Sequence, residues 1–189
     1  MSTPTTDVKS LGLEPGVYNV DPVHSNVTFI ARHLVASKVR GHFSEFSGSI
    51  TIGDTLASSS VEATVQAASI STDNEMRDNH LKSADFLEQE TYPTLTFAST
   101  SVTPKGGDRY ELAGDLTIKG VTKPVTFDLE FLGAGPGMAP NSTVVGFEAR
   151  TEIDRRDFGV TFEGTLENGS LVVGHKVVLE LTVEAAKQG

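Results

Sequence analysis

Tyr18-Asn19-Val20-Asp21-Pro22-Val23-His24-Ser25-Asn26-Val27-Thr28-Phe29-Ile30-Ala31-Arg32-His33-Leu34 is the stretch whose reading decides the fold. Asp21-Pro22 makes a turn, and in the alternating run that follows Val27, Phe29, Ala31 and His33 share one face. This is a strand buried on one side, with an imidazole at its far end. Repeated along a chain, such strands build a barrel or sandwich whose interior is either a packed core or a container.

The same period of two recurs further on. Val61, Ala63, Val65 and Ala67 oppose Glu62, Thr64 and Gln66; Val125, Phe127, Leu129 and Phe131 oppose Thr126, Asp128 and Glu130. Val145, Phe147, Ala149 and Thr151, and then Val177, Leu179, Leu181 and Val183, repeat the pattern. Over 41–52 the parity slips, and a bulge between Phe43 and Phe46 restores one inner face while bending the strand. Further strands are predicted over 94–102, 110–118 and 171–175. Lys105-Gly106-Gly107-Asp108 and Lys119-Gly120 are hairpin-sized, which favours antiparallel neighbours. Gly133-Ala134-Gly135-Pro136-Gly137 lacks the Lys-Ser/Thr of a phosphate loop and is read as a connector between strands.

About eight to ten strands follow, in the range where a closed sheet can hold a small ligand. The exception lies between Ser71 and Tyr92. There Thr72-Asp73-Asn74-Glu75 resembles a capping box, and a short helix carrying Met76 to Leu81 is predicted across an end or flank of the barrel, placed to act as a lid. Ala is common on the inner face, and periodicity alone leaves a filled core and a tunnel equally open.

Composition narrows the function. The chain has 15 Lys and Arg against 25 Asp and Glu, a net charge of −10 that repels phosphate backbones and argues against nucleic acid. There is no cysteine, so thiolate metal sites and a cysteine nucleophile are excluded. No apolar run has the length of a membrane span, so stable membrane insertion is not expected. Residues 1–15 are expected to form a flexible tail before a single domain over 16–186. With Met1 as the native start and no signal peptide, the expected location is the cytoplasm.

Five histidines invite a metal, but His24, His33, His42, His80 and His175 show no HExxH or i, i+4 pairing, so no metal ligand is assigned. No GxSxG is present and His24-Ser25 adjacency does not align a base with a hydroxyl, so no catalytic residue or cofactor is assigned either. His33 continues an inner face and His80 shares its helix with Arg77, so these basic groups are the candidate polar contacts of a ligand. Arg155 and Arg156 sit in a charged loop that either pairs with itself or contacts an anion.

Four blocks carry a family resemblance. The first runs from Tyr18 and Asp21-Pro22-Val23-His24-Ser25 through Arg32-His33-Leu34 to Gly41-His42-Phe43 and Phe46-Ser47-Gly48. The second is Ser69-Ile70-Ser71-Thr72 with Arg77-Asp78-Asn79-His80-Leu81-Lys82-Ser83-Ala84-Asp85-Phe86-Leu87, Tyr92-Pro93 and Phe97. The third is Gly114-Asp115-Leu116-Thr117-Ile118-Lys119-Gly120-Val121-Thr122-Lys123-Pro124-Val125, and the fourth Arg156-Asp157-Phe158-Gly159-Val160. In these the chain resembles the YceI-like proteins, lipocalin-like barrels that bind polyisoprenoids.

The resemblance implies an all-β fold, an elongated antiparallel lipocalin-like barrel of about eight strands with one short helical insertion around 73–90. It implies a tunnel for a polyisoprenoid lipid, of polyprenyl phosphate or isoprenoid quinone type, which the protein carries, stores or sequesters. On that reading Val27, Phe29, Ala31, Ala63, Val65, Phe127, Leu129 and Phe147 line the tunnel, and His33, Arg77 and His80 meet the head group. A homodimer joins the expected partners. Two rivals are an enzyme acting on an isoprenoid, with His80 or His33 as base oriented by Asp78 or Asp21, and a stress-related interaction module with a packed barrel.

Overall fold

The computed structural model describes residues 7–187. Its strands are β1 (Gly16–Val20), β2 (Asn26–His33), β3 (Ser37–Phe43), β4 (Phe46–Ile52), β5 (Ser60–Gln66), β6 (Ile70–Ser71), β7 (Thr94–Gly106), β8 (Arg109–Ile118), β9 (Val121–Pro136), β10 (Thr143–Asp154) and β11 (Val173–Lys187). The helix α1 (Glu75–Lys82) stands between β6 and β7. The ring β1-β4-β5-β7-β8-β9-β10-β11 closes because β1 pairs with β11, which makes an eight-stranded antiparallel barrel. β2, β3 and β6 prolong it: β2 takes over from β1 beside β11, β3 leads into β4, and β6 follows β5 alongside β3.

The three interruptions, 21–25, 44–45 and 67–69, fall side by side in neighbouring strands, so the ladders are broken along one line of the wall. The break predicted between Phe43 and Phe46 is one of them. The Asp21-Pro22-Val23-His24-Ser25 motif spans another, and its polar groups replace missing ladder bonds. The Asp21 N–H donates to the Glu184 carbonyl (2.8 Å), while the buried Ser25 hydroxyl donates to that carbonyl (3.2 Å) and accepts the Glu184 N–H (3.0 Å). Asp21 also accepts the Val23 N–H (2.8 Å) and holds His24 Nδ1 at 2.7 Å. That bond raises the His24 imidazole pKa and lowers that of Asp21.

Both ends of the barrel are stoppered. At one end Val8 and Leu13 pack with Leu56, Tyr18, Tyr110 and Val145, and the Val8 N–H donates to the Asp54 carbonyl (3.2 Å). Val8 is 0% exposed, so the packed region begins before residue 16; the part of the expected tail over 1–6 lies outside the described residues. The apolar spacing of Val8, Leu11 and Leu13, anchored by the Asp7 side chain on the Lys9 N–H, is what holds this segment in the barrel mouth. At the other end Phe86, Phe158 and Val160 pack on Leu116, Ile118 and Ile153. β6 and β7 do not pair, and the chain between them, α1 included, covers this end.

Three local expectations change. The helix N-cap is Asn74, accepting the Arg77 N–H (2.9 Å), because Thr72 is otherwise engaged: its hydroxyl donates to Asp78 (2.6 Å) and accepts from Arg77 Nε (2.7 Å). Gly133-Ala134-Gly135-Pro136 is paired strand, with a register shift opposite Gly146/Phe147. Arg155 is buried, donating to the carbonyls of Gly174 (2.9 Å), Val160 (2.7 Å) and Val173 (3.3 Å), so it ties the 160–174 segment to the barrel end. Arg156 pairs with Asp154 (2.7 Å), which holds that carboxyl well below the usual range.

Candidate functional site: an apolar cavity along the barrel

The inner face encloses a cavity of about 220 Å³ that runs from Val8, Leu13 and Leu56 at one end to Leu95, Leu116 and Ile118 beneath the other stopper. That is room for roughly seven waters at liquid density. The wall takes Val27 and Phe29 from β2, Phe43 from β3, Phe46 and Ile50 from β4, and Val61, Ala63 and Val65 from β5. Across the barrel stand Phe127, Leu129 and Phe131 of β9, Phe147 and Ala149 of β10, and Leu179, Leu181 and Val183 of β11. Every second residue of each strand faces inward, which is why a period of two in the sequence becomes a continuous apolar wall.

Packing of the phenylalanines keeps the interior hollow. They pair along the wall, Phe29 with Phe43 (ring centroids 5.8 Å apart), Phe97 with Phe127 (5.4 Å) and Phe131 with Phe147 (5.4 Å). Phe29 lies over its cross-strand partner Gly41, where a Cβ would come within 2.3 Å of the ring, and Phe97 covers Gly114 at 2.4 Å. A side chain at either glycine would push the ring off the wall. With hydrogen there instead, the ring lies flat and leaves the lumen open.

The sequence-predicted residues divide cleanly by position. Val27, Phe29, Ala63, Val65, Phe127, Leu129 and Phe147 line the cavity. Ala31 does not: its partner on β11, Val177, packs into the cluster of Phe86, Phe158 and Val160, so the barrel is filled at that level. His33, Arg77 and His80 do not line the cavity either. His33 ends β2 beyond Ala31, where its carbonyl accepts the Ser37 hydroxyl (3.2 Å). Arg77 is folded onto Thr72, donating to its hydroxyl and its carbonyl (2.9 Å). His80 binds Asp85 (2.8 Å) and stands edge-on between Phe86 and Phe162, each ring 5.0 Å away.

Asp78, the orienting carboxylate expected for His80, is taken by Thr72, and Asp21 serves His24 rather than His33. His80 and Asp85 are within hydrogen-bonding reach, but the pair braces the stopper from outside the cavity. The sequence reading passed over Phe43, Phe46, Phe131, Leu179, Leu181 and Val183 as site residues, although alternation placed most of them inside. It also missed Tyr110, which lies on the inner parity of β8.

Similarity to known proteins agrees with this architecture. The model of the YceI-like domain matches residues 18–185. The chain belongs to the YceI-like family. A UPF0312 protein of Staphylococcus aureus strain N315 is 38% identical over 169 residues, covering 88% of this chain and 95% of the relative. Among solved structures, the Campylobacter jejuni YCEI protein is 30% identical with a TM-score of 0.72, over 84% of this chain and 90% of that one. BcnA of Burkholderia cenocepacia is 25% identical with the same TM-score, over 87% and 98%. A polyisoprenoid binding domain from Saccharophagus degradans, implicated in plant cell wall breakdown, shares the fold at 13% identity and a TM-score of 0.65, over 93% and 100%. The YceI-like barrel is thus all-β apart from α1 and short 3-10 turns, and no helix among its described residues is long and apolar enough to cross a membrane.

Proposed function

We propose that this YceI-like protein binds a long polyisoprenoid chain in the barrel cavity and carries, stores or sequesters it. The observation that carries the reading is the hollow wall: a barrel whose lumen presents an almost wholly apolar surface and still leaves about 220 Å³ unfilled. A packed interior has few voids larger than a water molecule, so an opening of this size along a whole barrel is the mark of a container. The polyisoprenoid binding domain of the same fold supports the ligand class.

Energetics suit an apolar chain. Each buried methylene-sized group contributes roughly 0.8 kcal/mol, so each five-carbon isoprene unit taken into the cavity gives about 4 kcal/mol before the costs of association. Recognition comes from length and width, read by Val27, Phe29, Ala63, Val65, Phe127, Leu129 and Phe147. No chemical step is required. An enzyme built on His80 lacks support, because the His80–Asp85 pair does not touch the cavity. Native mass spectrometry of freshly purified protein tests the proposal. A co-purifying lipid, or uptake of added polyprenyl compounds at a 1:1 ratio, is expected; neither being seen would refute it.

A further inference from the structure

Resting on that lipid-binding reading for its choice of partner, we infer that the β2–β3 hairpin docks the barrel onto an anionic lipid bilayer. Arg32 of β2 and Lys38 of β3 are cross-strand partners on the outward face, both exposed, with β-carbons about 5 Å apart. Like charges placed opposite each other cost stability. Among the described residues neither has a carboxylate within 4 Å: Glu180 is taken by Arg40 and Arg150, Asp154 by Arg156 and Lys176, and Glu163 by His175. From Pro22 to Ser44 the chain has no Asp or Glu, although it holds 25 in all, so the hairpin has no acid of its own to offset them. Between the two cations the turn presents Leu34, Val35 and Ala36, and Val35 is 78% exposed. A bilayer with anionic head groups relieves both costs at once. Its phosphates take the paired cations, and Val35 enters the boundary between head groups and acyl chains.

The hairpin stands at the end of the barrel where entry matters. The Leu34 N–H donates to the Val172 carbonyl (2.9 Å), and Val173 pairs with His33. The tip is therefore bound to the 160–174 segment that Arg155 ties down and whose Val160 belongs to the stopper. Docking through Arg32, Val35 and Lys38 brings that stopper, rather than the Val8 end, to the lipid surface. The β7–β8 hairpin at the other end offers no such patch, because Lys105 pairs with Glu111 (2.7 Å) and Arg109 faces Glu130 (3.9 Å). Asp73, Glu75 and Glu167 are exposed on the elements covering the docking end, and with the net charge of −10 they keep the attraction weak and the contact reversible. Reversible contact is what a carrier of a water-insoluble chain requires.

The test is sedimentation of the full-length protein with sucrose-loaded vesicles, of phosphatidylcholine alone or of phosphatidylcholine and phosphatidylglycerol in equal parts. Binding is expected at low salt on the anionic vesicles only, and should fall as salt is raised. Arg32→Gln/Lys38→Gln should lose roughly 25-fold in affinity, at roughly fivefold per basic residue. Its melting temperature should match or exceed that of the parent, since the like-charge pair is gone. Lys105→Gln/Arg109→Gln removes the same charge from the opposite end and should bind as the parent does. Val35→Ser should lose roughly fivefold. No binding of the parent to the anionic vesicles, or equal losses in the two double variants, overturns the inference. Val35→Ser without effect also overturns it, pointing to a polyanion in solution in place of a bilayer. Polyprenol added from ethanol without vesicles reads the container separately: uptake without vesicle docking overturns the docking inference alone. No uptake by either route overturns the container reading and, with it, the ground for a membrane partner.

Discussion

Replacing Ala63 by Phe separates a container from a core in one measurement. Ala63 faces the cavity from β5, whereas Ala185 on β11 is 0% exposed and opposed by the equally buried Val145. The same substitution at both positions adds the same six or so carbons to different surroundings. At Ala185 there is no room, and overpacking costs about 1–3 kcal/mol. At Ala63 the ring enters open space and buries roughly 100 Å² of apolar surface, worth about 2.5 kcal/mol, less about 0.5–1 kcal/mol of side-chain entropy. Ala63→Phe in the lipid-free protein is thus expected to be neutral or more stable by about 1–2 kcal/mol. It should at the same time displace about one isoprene unit of ligand, a loss near 4 kcal/mol or about a thousandfold in affinity. Urea unfolding of delipidated protein gives the first quantity and polyprenyl titration the second. A stability loss at Ala63 equal to that at Ala185, with lipid uptake unchanged, would refute the hollow barrel.

Three other outcomes follow from the geometry. Gly41→Ala places a Cβ where the Phe29 ring lies, at 2.3 Å, and drives the ring into the lumen; the longest bound chains seen by native mass spectrometry should lose roughly tenfold in affinity, and an unchanged length distribution would count against the flat-ring account. Arg155→Met leaves three carbonyls without their donor and should cost about 3–5 kcal/mol, a fall of about 10 °C in melting temperature; a fall below about 2 °C would show that the clamp is dispensable. His24 has a raised pKa in the fold, so its contribution is fully present below about 6.5 and is lost as pH rises through the folded value, while that of Asp21, whose pKa is lowered, is present above about 3.9 and lost on acidification through its folded value. The melting-temperature gap between the parent protein and His24→Gln should therefore be widest near pH 5–6 and close by about pH 9, and a gap independent of pH would refute the linkage.

Much of the barrel was legible in the sequence because strands write their faces with a period of two. Val27, Phe29, Ala63, Val65, Phe127, Leu129 and Phe147 were inward by parity and line the cavity, and the parity slip between Phe43 and Phe46 marked a real break. The polar candidates fared differently, since residue type does not tell which partner a side chain will take. Arg77 is spent on Thr72 and His80 on Asp85, both short-range pairings that close before any ligand is considered. Ala31 has the right parity but the wrong level along the barrel, and level depends on where Phe86, Phe158 and Val160 fold back over the end.

The sequence by itself determined the strands, their inner faces and the family, because alternation and turn chemistry are local properties of the chain. Only the tertiary structure decided that the inside is hollow. That outcome rests on the Phe29–Gly41 and Phe97–Gly114 pairs, each across the two strands of one hairpin, and on the Val8–Leu13 segment seated on the distant Leu56. Whether a ring lies flat or fills the lumen depends on what stands opposite it, and register supplies that neighbour.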